Sequence, residues 1–507
     1  MSDLLASHDN VARFRIKPGV VATGFVVTSI AIFLLNTRHG IGILPDSVAY
    51  MQIGVARHFA PFYTWVLQAV AASGIDIVAG AKVLGLVLVG LNTFLTWQLI
   101  LEATGSIRYA AAGTALIIAS PVFVRMHSVA MSEPLFITLL LVALFTFVKG
   151  IAGRRLAWFA TTGAVLGANM LTRFAAAPAI GALCLARLMH ADRPFLRRLT
   201  DSFAIGVVSV VIFGAWAAAS QLATGSSTGR VMAFRGDPDA AVWLTGLDSL
   251  SILLLPAPVP PGIRLAFLGL AAPAYIWVAT RFARQWLRRP GSAALDPWFA
   301  VAGACVLFVI SYIGFLVLTV YVQAYNVPLD GRAYLPLYMA TVVSMTIMAA
   351  RCPLPRRLSV TVAAVAAVVF ASHMVRTAVL TSKSYANGVG YVDQAWASSS
   401  ILGAVSQLPA DARLYSNAPD VITFRLHRQA EYIPNRFNHI TGSNEPLAPQ
   451  MAALREGLRQ AHAYLVFVDR VDWRFYQVPE KELVDALSVT KIVEESDGRI
   501  YQIRPGS

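Results

Sequence analysis

Three short polar segments stand out from a largely apolar chain, and each sets a carboxylate close to a cation. The first reads Leu44-Pro45-Asp46-Ser47-Val48-Ala49-Tyr50 and continues into Arg57-His58-Phe59-Ala60-Pro61. In the second, Arg125, His127, Ser132 and Glu133 fall within nine residues, followed by Pro134. The third runs from Tyr325 and Asn326 through Pro328 to Asp330-Gly331-Arg332-Ala333-Tyr334. A positioned carboxylate can accept a proton from a hydroxyl and make a poor nucleophile usable. A guanidinium offers a planar donor fork that matches a phosphate. Plainer readings stand beside these: Asp46 as a helix N-cap, Glu133 in a first turn with Ser132 as cap and Pro134 where its missing N–H is harmless, and Arg332 as a snorkelling helix-end arginine. Asp46 and Glu133 could also share a divalent cation through hard oxygen ligands.

The chain that must position these groups has 507 residues, 57 % of them hydrophobic and 13 % charged. Soluble domains carry about 25 % charged residues, so an ordinary soluble enzyme is excluded. The charge is also unevenly spread. Residues 1–378 hold 28 Lys/Arg against 13 Asp/Glu, whereas residues 379–507 hold 13 against 14, so the formal +14 belongs to the first part. In a membrane protein that excess is the signature of basic cytoplasmic loops rather than of nucleic-acid binding. Cys184, Cys305 and Cys352 all precede residue 379, which leaves the second part without a disulfide framework. Neither a phosphate-binding G-x-x-x-x-G-K-[ST] run nor zinc-spaced His and Cys residues occur.

Apolar stretches over 19–36, 83–101, 109–124, 135–148, 156–171, 174–189, 203–222, 265–280, 298–321, 335–350 and 358–375 predict about eleven membrane spans. Arg13, Arg15 and Lys17 precede the first stretch, which is long and lacks a small-x-small cleavage site, so it reads as an uncleaved span. With a cytoplasmic N-terminus, the inner loops collect 18 basic residues, among them Arg108, Arg154, Arg197, Arg289 and Arg356, against 10 on the outer face before residue 379. That register obeys the positive-inside rule. It places the three polar segments and residues 379–507 on the outer, periplasmic side of a bacterial inner membrane. Val48, Met51, Val55 and Phe59 predict an amphipathic surface helix over 47–59. Strand patterns at 412–416, 463–468, 489–493 and 499–503 alternate with helical ones at 446–462 and 480–487, which predicts a small α/β domain.

Taken together, a first outer loop with an acid before an amphipathic helix, Ser132-Glu133-Pro134-Leu135-Phe136 opening the fourth span, and Asp330-x-Arg332-x-Tyr334-Leu335-Pro336-Leu337 late in the membrane part resemble the GT-C glycosyltransferases. The resemblance is to the protein O-mannosyltransferase and lipid A aminoarabinose-transferase type. It implies transfer of one sugar from a polyprenyl-phosphate carrier to a hydroxyl of a glycan, lipid or protein. It further implies Asp46 as general base, Glu133 as a shaper of the acceptor or donor pocket with Tyr50 and His127, and Arg332 facing the carrier phosphate. Arg57, Arg125 and Arg173 are further candidate cations. Where relatives often carry Asp-Glu and His-Pro-Pro, this chain has Asp46-Ser47 and His58-Phe59-Ala60-Pro61.

A secondary transporter is the main alternative, for a lipid-linked or small polar substrate. Transporters, however, place charges near the bilayer midplane on paired halves, whereas these spans have nearly charge-free centres. A non-catalytic anchoring protein would leave Asp46, Glu133 and Arg332 mutationally quiet. Single cysteines placed at positions 46 and 332, in a background lacking Cys184, Cys305 and Cys352, should react with a membrane-impermeant thiol reagent added outside. Labelling of either only from the cytoplasm would invert the topology.

Overall fold

The computed structural model describes residues 17–53, 59–229, 234, 239–288, 296–322, 329–438, 443–460 and 462–503. Arg13, Arg15, Arg57, His58, Arg289 and residues 325–328 lie outside them. All eleven apolar stretches are helical. They fold as α1 (Pro18–Asn36), α4 (Ile77–Thr104), the pair α5 (Ile107–Ile118) and α6 (Pro121–His127), α7 (Glu133–Gly153), α8 (Leu156–Thr172), α9 (Ala177–Met189), α10 (Phe195–Thr224), α12 (Pro261–Arg288), α13 (Pro297–Val322), α14 (Gly331–Arg351) and α15 (Arg356–Asn387). The shorter α2 (Pro45–Tyr50), α3 (Phe62–Ala72) and α11 (Ala240–Leu254) lie in loops. Among the described residues, eight helices are long and apolar enough to cross a membrane, or nine if α5 and α6, bent by 65° at Ala119-Ser120, form one span. The expected eleven also count α8, of 17 residues, and α9, of 13, which are shorter than the roughly 20 residues that span a bilayer.

Helices α7 and α14 run through the middle of the bundle with most side chains buried, while α1, α10, α12 and α15 turn apolar residues such as Val20, Val210, Ile276 and Val375 outward. Outward apolar faces on long helices are what lipid solvation permits. Close approach is purchased with small residues: a Cβ on Gly163 of α8 would come within 2.6 Å of the Ile205 carbonyl of α10, whose Ser209 hydroxyl donates to the Gly163 carbonyl at 2.9 Å. At the end of the bundle opposite the three polar segments, Arg187 donates to Asp201 at 2.9 Å and to Asp192 at 2.7 Å. These buried pairs bind the α9–α10 loop.

The helix expected over 47–59 stops early. Gln52 adopts φ +57, its N–H donates to Ala49, and the Ile53 N–H reaches back to Val48. That is a Schellman ending, in which a left-handed residue satisfies the last carbonyls. Residue Val55 of the expected apolar face lies outside the described residues.

The C-terminal domain carries a five-stranded sheet in the order β2-β1-β3-β5-β4, built from β1 (Arg413–Ser416), β2 (Ala430–Tyr432), β3 (Ala463–Val468), β4 (Val489–Glu495) and β5 (Gly498–Ile503). Strands β1, β2 and β3 pair in parallel, and β5 pairs antiparallel with both β3 and β4. Helices α16 (Gln394–Ala397), α17 (Ser400–Ser406), α18 (Pro419–Leu426), α19 (Leu447–Leu458) and α20 (Glu480–Leu487) complete it. Every residue of β3 is buried, which accounts for its uninterrupted apolar run. The strand missing from the sequence reading is β2. It has three residues and lies at the sheet edge, too short to show a pattern.

A backbone strap joins this domain to the bundle. The Gly42 N–H donates to Ser128 and the Gly42 carbonyl accepts from Ala130, both at 2.9 Å, while the Tyr391 N–H donates to Ile43 at 2.7 Å. Residues 42 and 43 thus pair with the α6–α7 loop on one side and with the start of the domain on the other. Gly390 makes this possible: it sits at φ +64, and a side chain there would strike the Ile43 carbonyl. The Tyr391 hydroxyl donates to Asp420 at 2.5 Å, and Asp420 takes both oxygens' worth of donors from Arg474 at 2.8 Å. Gly390→Ala should lose about 1–2 kcal/mol from the left-handed backbone alone and more from the collision. Gly403→Ala, in helix α17 with open space around it, should be neutral or stabilising. Equal melting temperatures for the two variants would contradict the strap.

Candidate functional site

The strap delivers α2 to the mouth of the bundle two residues after Ile43. Pro45 starts the helix, Leu44 sits at the N-cap, and the Ser47 hydroxyl accepts the Leu44 N–H at 3.0 Å. Ser47 therefore does the local capping, and Asp46 is not the N-cap. Its carboxylate lies instead 3.3 Å from Nη1 of Arg332, a residue 286 positions away.

Arg332 is held from its own helix start. Asp330 caps α14, accepting the Arg332 N–H at 2.9 Å and the Ala333 N–H at 3.3 Å through one oxygen. Its other oxygen takes Arg332 Nε at 3.2 Å. The guanidinium thus bridges Asp330 and Asp46 and stays about 30 % exposed, available to an arriving group. The Tyr312 hydroxyl donates to the Ala333 carbonyl at 2.9 Å and steadies this helix start against α13.

A second pair lies beside the first. Glu133 opens α7, where the helix dipole favours a negative charge, and is 2 % exposed. Arg173, between α8 and α9, places Nη1 at 2.9 Å from it. This is a charge contact rather than an aligned bond, because neither carboxylate oxygen accepts a directed hydrogen bond. The same Nη1 donates to the Ser132 hydroxyl at 3.1 Å, and Ser132 meets the Tyr50 hydroxyl at 3.1 Å. Ser132 occupies the α7 N-cap position without capping through its side chain. Tyr50 is packed edge-on to Tyr63 at 5.2 Å, and burial pushes its hydroxyl up to about 12. It stays protonated as a hydrogen-bonding group.

The structure brings Asp46, Glu133, Tyr50, Arg173 and Arg332 together at one end of the bundle. His127 is held elsewhere in its packing. Its Nδ1 faces the Phe123 carbonyl at 2.8 Å, Nε2 faces Asn92 at 3.0 Å, and its ring packs against that of Phe123, tilted by 39° with centroids 4.0 Å apart. Arg125 is exposed on the last turn of α6. Arg57 lies outside the described residues. Sequence reasoning left out Asp330 and Ser132 as functional groups; the Asp-x-Arg spacing was the available signal for the first. Among the described residues no group of three His, Cys, Asp or Glu side chains could hold a metal ion, and Asp46 and Glu133 each face a guanidinium.

Removing one partner of a buried pair costs roughly 3–5 kcal/mol, because the other charge is left uncompensated. Arg173→Ala should therefore lower the melting temperature clearly, and adding Glu133→Gln should restore much of the loss. An equal loss in single and double variants would show that the pair is not coupled.

No protein-family model matches the chain, and no curated protein matches it. Solved structures do. ArnT from Cupriavidus metallidurans bound to undecaprenyl phosphate is 15 % identical, covering 96 % of this chain and 98 % of its own, with a TM-score of 0.51. The apo state of the same protein is 14 % identical, covering 95 % and 98 %, with a TM-score of 0.51. Arabinofuranosyltransferase AftD from Mycobacteria gives 14 % identity, 96 % and 42 % coverage and a TM-score of 0.47. Over 96 % of its length this chain shares the fold of ArnT, the fold that the resemblance to the GT-C glycosyltransferases implied.

Proposed function

We propose that this protein is a membrane glycosyltransferase that moves one sugar from a polyprenyl-phosphate carrier to an acceptor hydroxyl on the outer face of the membrane. The observation that carries the reading is the meeting of Asp46 and Arg332 at 3.3 Å across 286 residues of chain. The fold shared with ArnT, a protein crystallised with undecaprenyl phosphate, supports a carrier of that class. So does an apolar bundle whose outer surface can accommodate an isoprenoid while its head group reaches the polar mouth.

In this reading Asp46 takes the proton of the acceptor hydroxyl as its oxygen bonds to the anomeric carbon. The bond from that carbon to the phosphate oxygen breaks, and the electron pair leaves with the phosphate. A single displacement inverts the anomeric configuration. Arg332 binds the phosphate and offsets the charge that grows on it, aided by Arg173. The Asp46–Arg332 pair orders the events. Once Arg332 turns to the phosphate, the Asp46 oxygen it had held can turn to the acceptor hydroxyl. Glu133 holds Arg173 in place, and Tyr50 shapes the pocket through Ser132. The exported domain then faces the acceptor side.

General-base catalysis contributes typically about 10²–10⁴-fold. In nanodiscs supplied with polyprenyl-phosphate sugars, Asp46→Asn should reduce release of free polyprenyl phosphate by that order while leaving the melting temperature close to wild type. Full activity would remove Asp46 as base. Arg332→Ala should raise the donor KM, and an unchanged KM would end its phosphate role.

A further inference from the structure

A cleft of about 490 Å³ lies where the first outer loop meets the C-terminal domain. One wall is Leu44 and Pro45, the two residues directly before Asp46; the opposite wall carries Trp396, Arg470 and Trp473, and Gly390 and Tyr391 of the strap also line it. Its volume falls within the range of small-molecule sites, about 300–1,000 Å³.

The walls are fixed rather than loose. Trp396 packs edge-on against Tyr391 at 5.7 Å, and the Arg470 guanidinium lies over its ring at 5.9 Å. Trp473 is 45 % exposed, yet the next residue is Arg474, locked onto buried Asp420 by two bonds of 2.8 Å. A half-exposed indole on an anchored backbone presents a flat apolar face, with a polar N–H at its edge, in a fixed place.

We infer that this cleft binds a saccharide unit of the acceptor, with Trp473 and Trp396 taking the ring face and Arg470 and Asp393 its hydroxyls. A pyranose has a face rich in C–H groups and a rim of hydroxyls, and an aromatic floor with a polar edge complements both. A lipid tail would have to desolvate Arg470 and Asp393. A peptide adding to a sheet would need an open strand edge, and none of the five strands contributes to the lining. The naming of the occupant as acceptor rests on the glycosyltransferase reading; saccharide binding by the cleft does not. A ring seated against Pro45 would stand one residue from the proposed base, which gives the strap its purpose.

The test uses the full chain in nanodiscs and three probes, chitotriose, maltotriose and mannotriose, followed by saturation-transfer NMR without donor. At least one should bind, and Trp473→Ala should weaken it roughly tenfold, as loss of an aromatic hot spot does. Trp65→Phe, at an exposed indole on α3 away from the cleft, should leave binding unchanged. In transfer assays with a saccharide acceptor, Trp473→Ala should raise the acceptor KM by a similar factor and move the donor KM much less. Binding of none of the probes, or binding indifferent to Trp473→Ala, would overturn the cleft and leave the indole as an interfacial membrane anchor. Trp473-dependent binding without sugar transfer from any donor would keep the cleft and sink the transferase reading instead.

Discussion

A carboxylate at the rim of an apolar helix bundle is tolerable only beside a cation, and the end of the bundle that carries Asp46 and Glu133 is organised by that constraint. Asp46 faces Arg332 and Glu133 faces Arg173, so each acid introduced at the low-dielectric boundary is matched by a guanidinium from a distant part of the chain. The acids of the two pairs differ in exposure, Glu133 at 2 % and Asp46 at 28 %, while Arg173 and Arg332 are alike at 28 % and 30 %. Glu133 is buried and its pair holds α7 against the end of α8. Asp46 and Arg332 are both partly open, so their contact can be exchanged for another at modest cost, since pairs in contact with water contribute little. One pair is therefore suited to holding shape and the other to chemistry.

What brings Asp46 to Arg332 is backbone rather than side chain. The bonds from Gly42 to Ser128 and Ala130, and from Tyr391 to Ile43, fix the two residues before Leu44 on both sides, and α2 follows with no freedom left to its first turn. Because the same strap starts the C-terminal domain, a displacement of that domain is carried directly to residue 46. Tyr391, bonded to Asp420, which is in turn gripped by Arg474, ties the strap to the sheet. The C-terminal domain and the segment that leads into Asp46 are thus joined through one strap, and both line the cleft between them.

Small and polar positions serve the contacts inside the bundle: Gly163 of α8 lets α10 approach, and Asn92 of α4 accepts from Thr138 at 2.7 Å and donates to the Pro134 carbonyl at 2.9 Å. The bend between α5 and α6 ends the helix at Ala119-Ser120, just before Pro121, where a proline cannot continue the backbone ladder.

By itself, the sequence determined the helical nature of every apolar stretch and four of the five described strands, whereas α15 runs to Asn387, nine residues past the division read at 378/379. These follow from composition and periodicity, which act locally. It also ordered Asp46, Glu133 and Arg332 on one face through alternation of spans. Tertiary structure decided what alternation cannot: that Ser47 rather than Asp46 serves the helix start, that Asp330 steers Arg332, that Arg173 belongs to Glu133, and that both nitrogens of His127 are engaged by Asn92 and the Phe123 carbonyl. Each of these is a choice between partners separated by tens to hundreds of residues. Such choices depend on where the backbone is anchored, here by two glycines and a tyrosine N–H, and a single strand of sequence carries no term for distance in space.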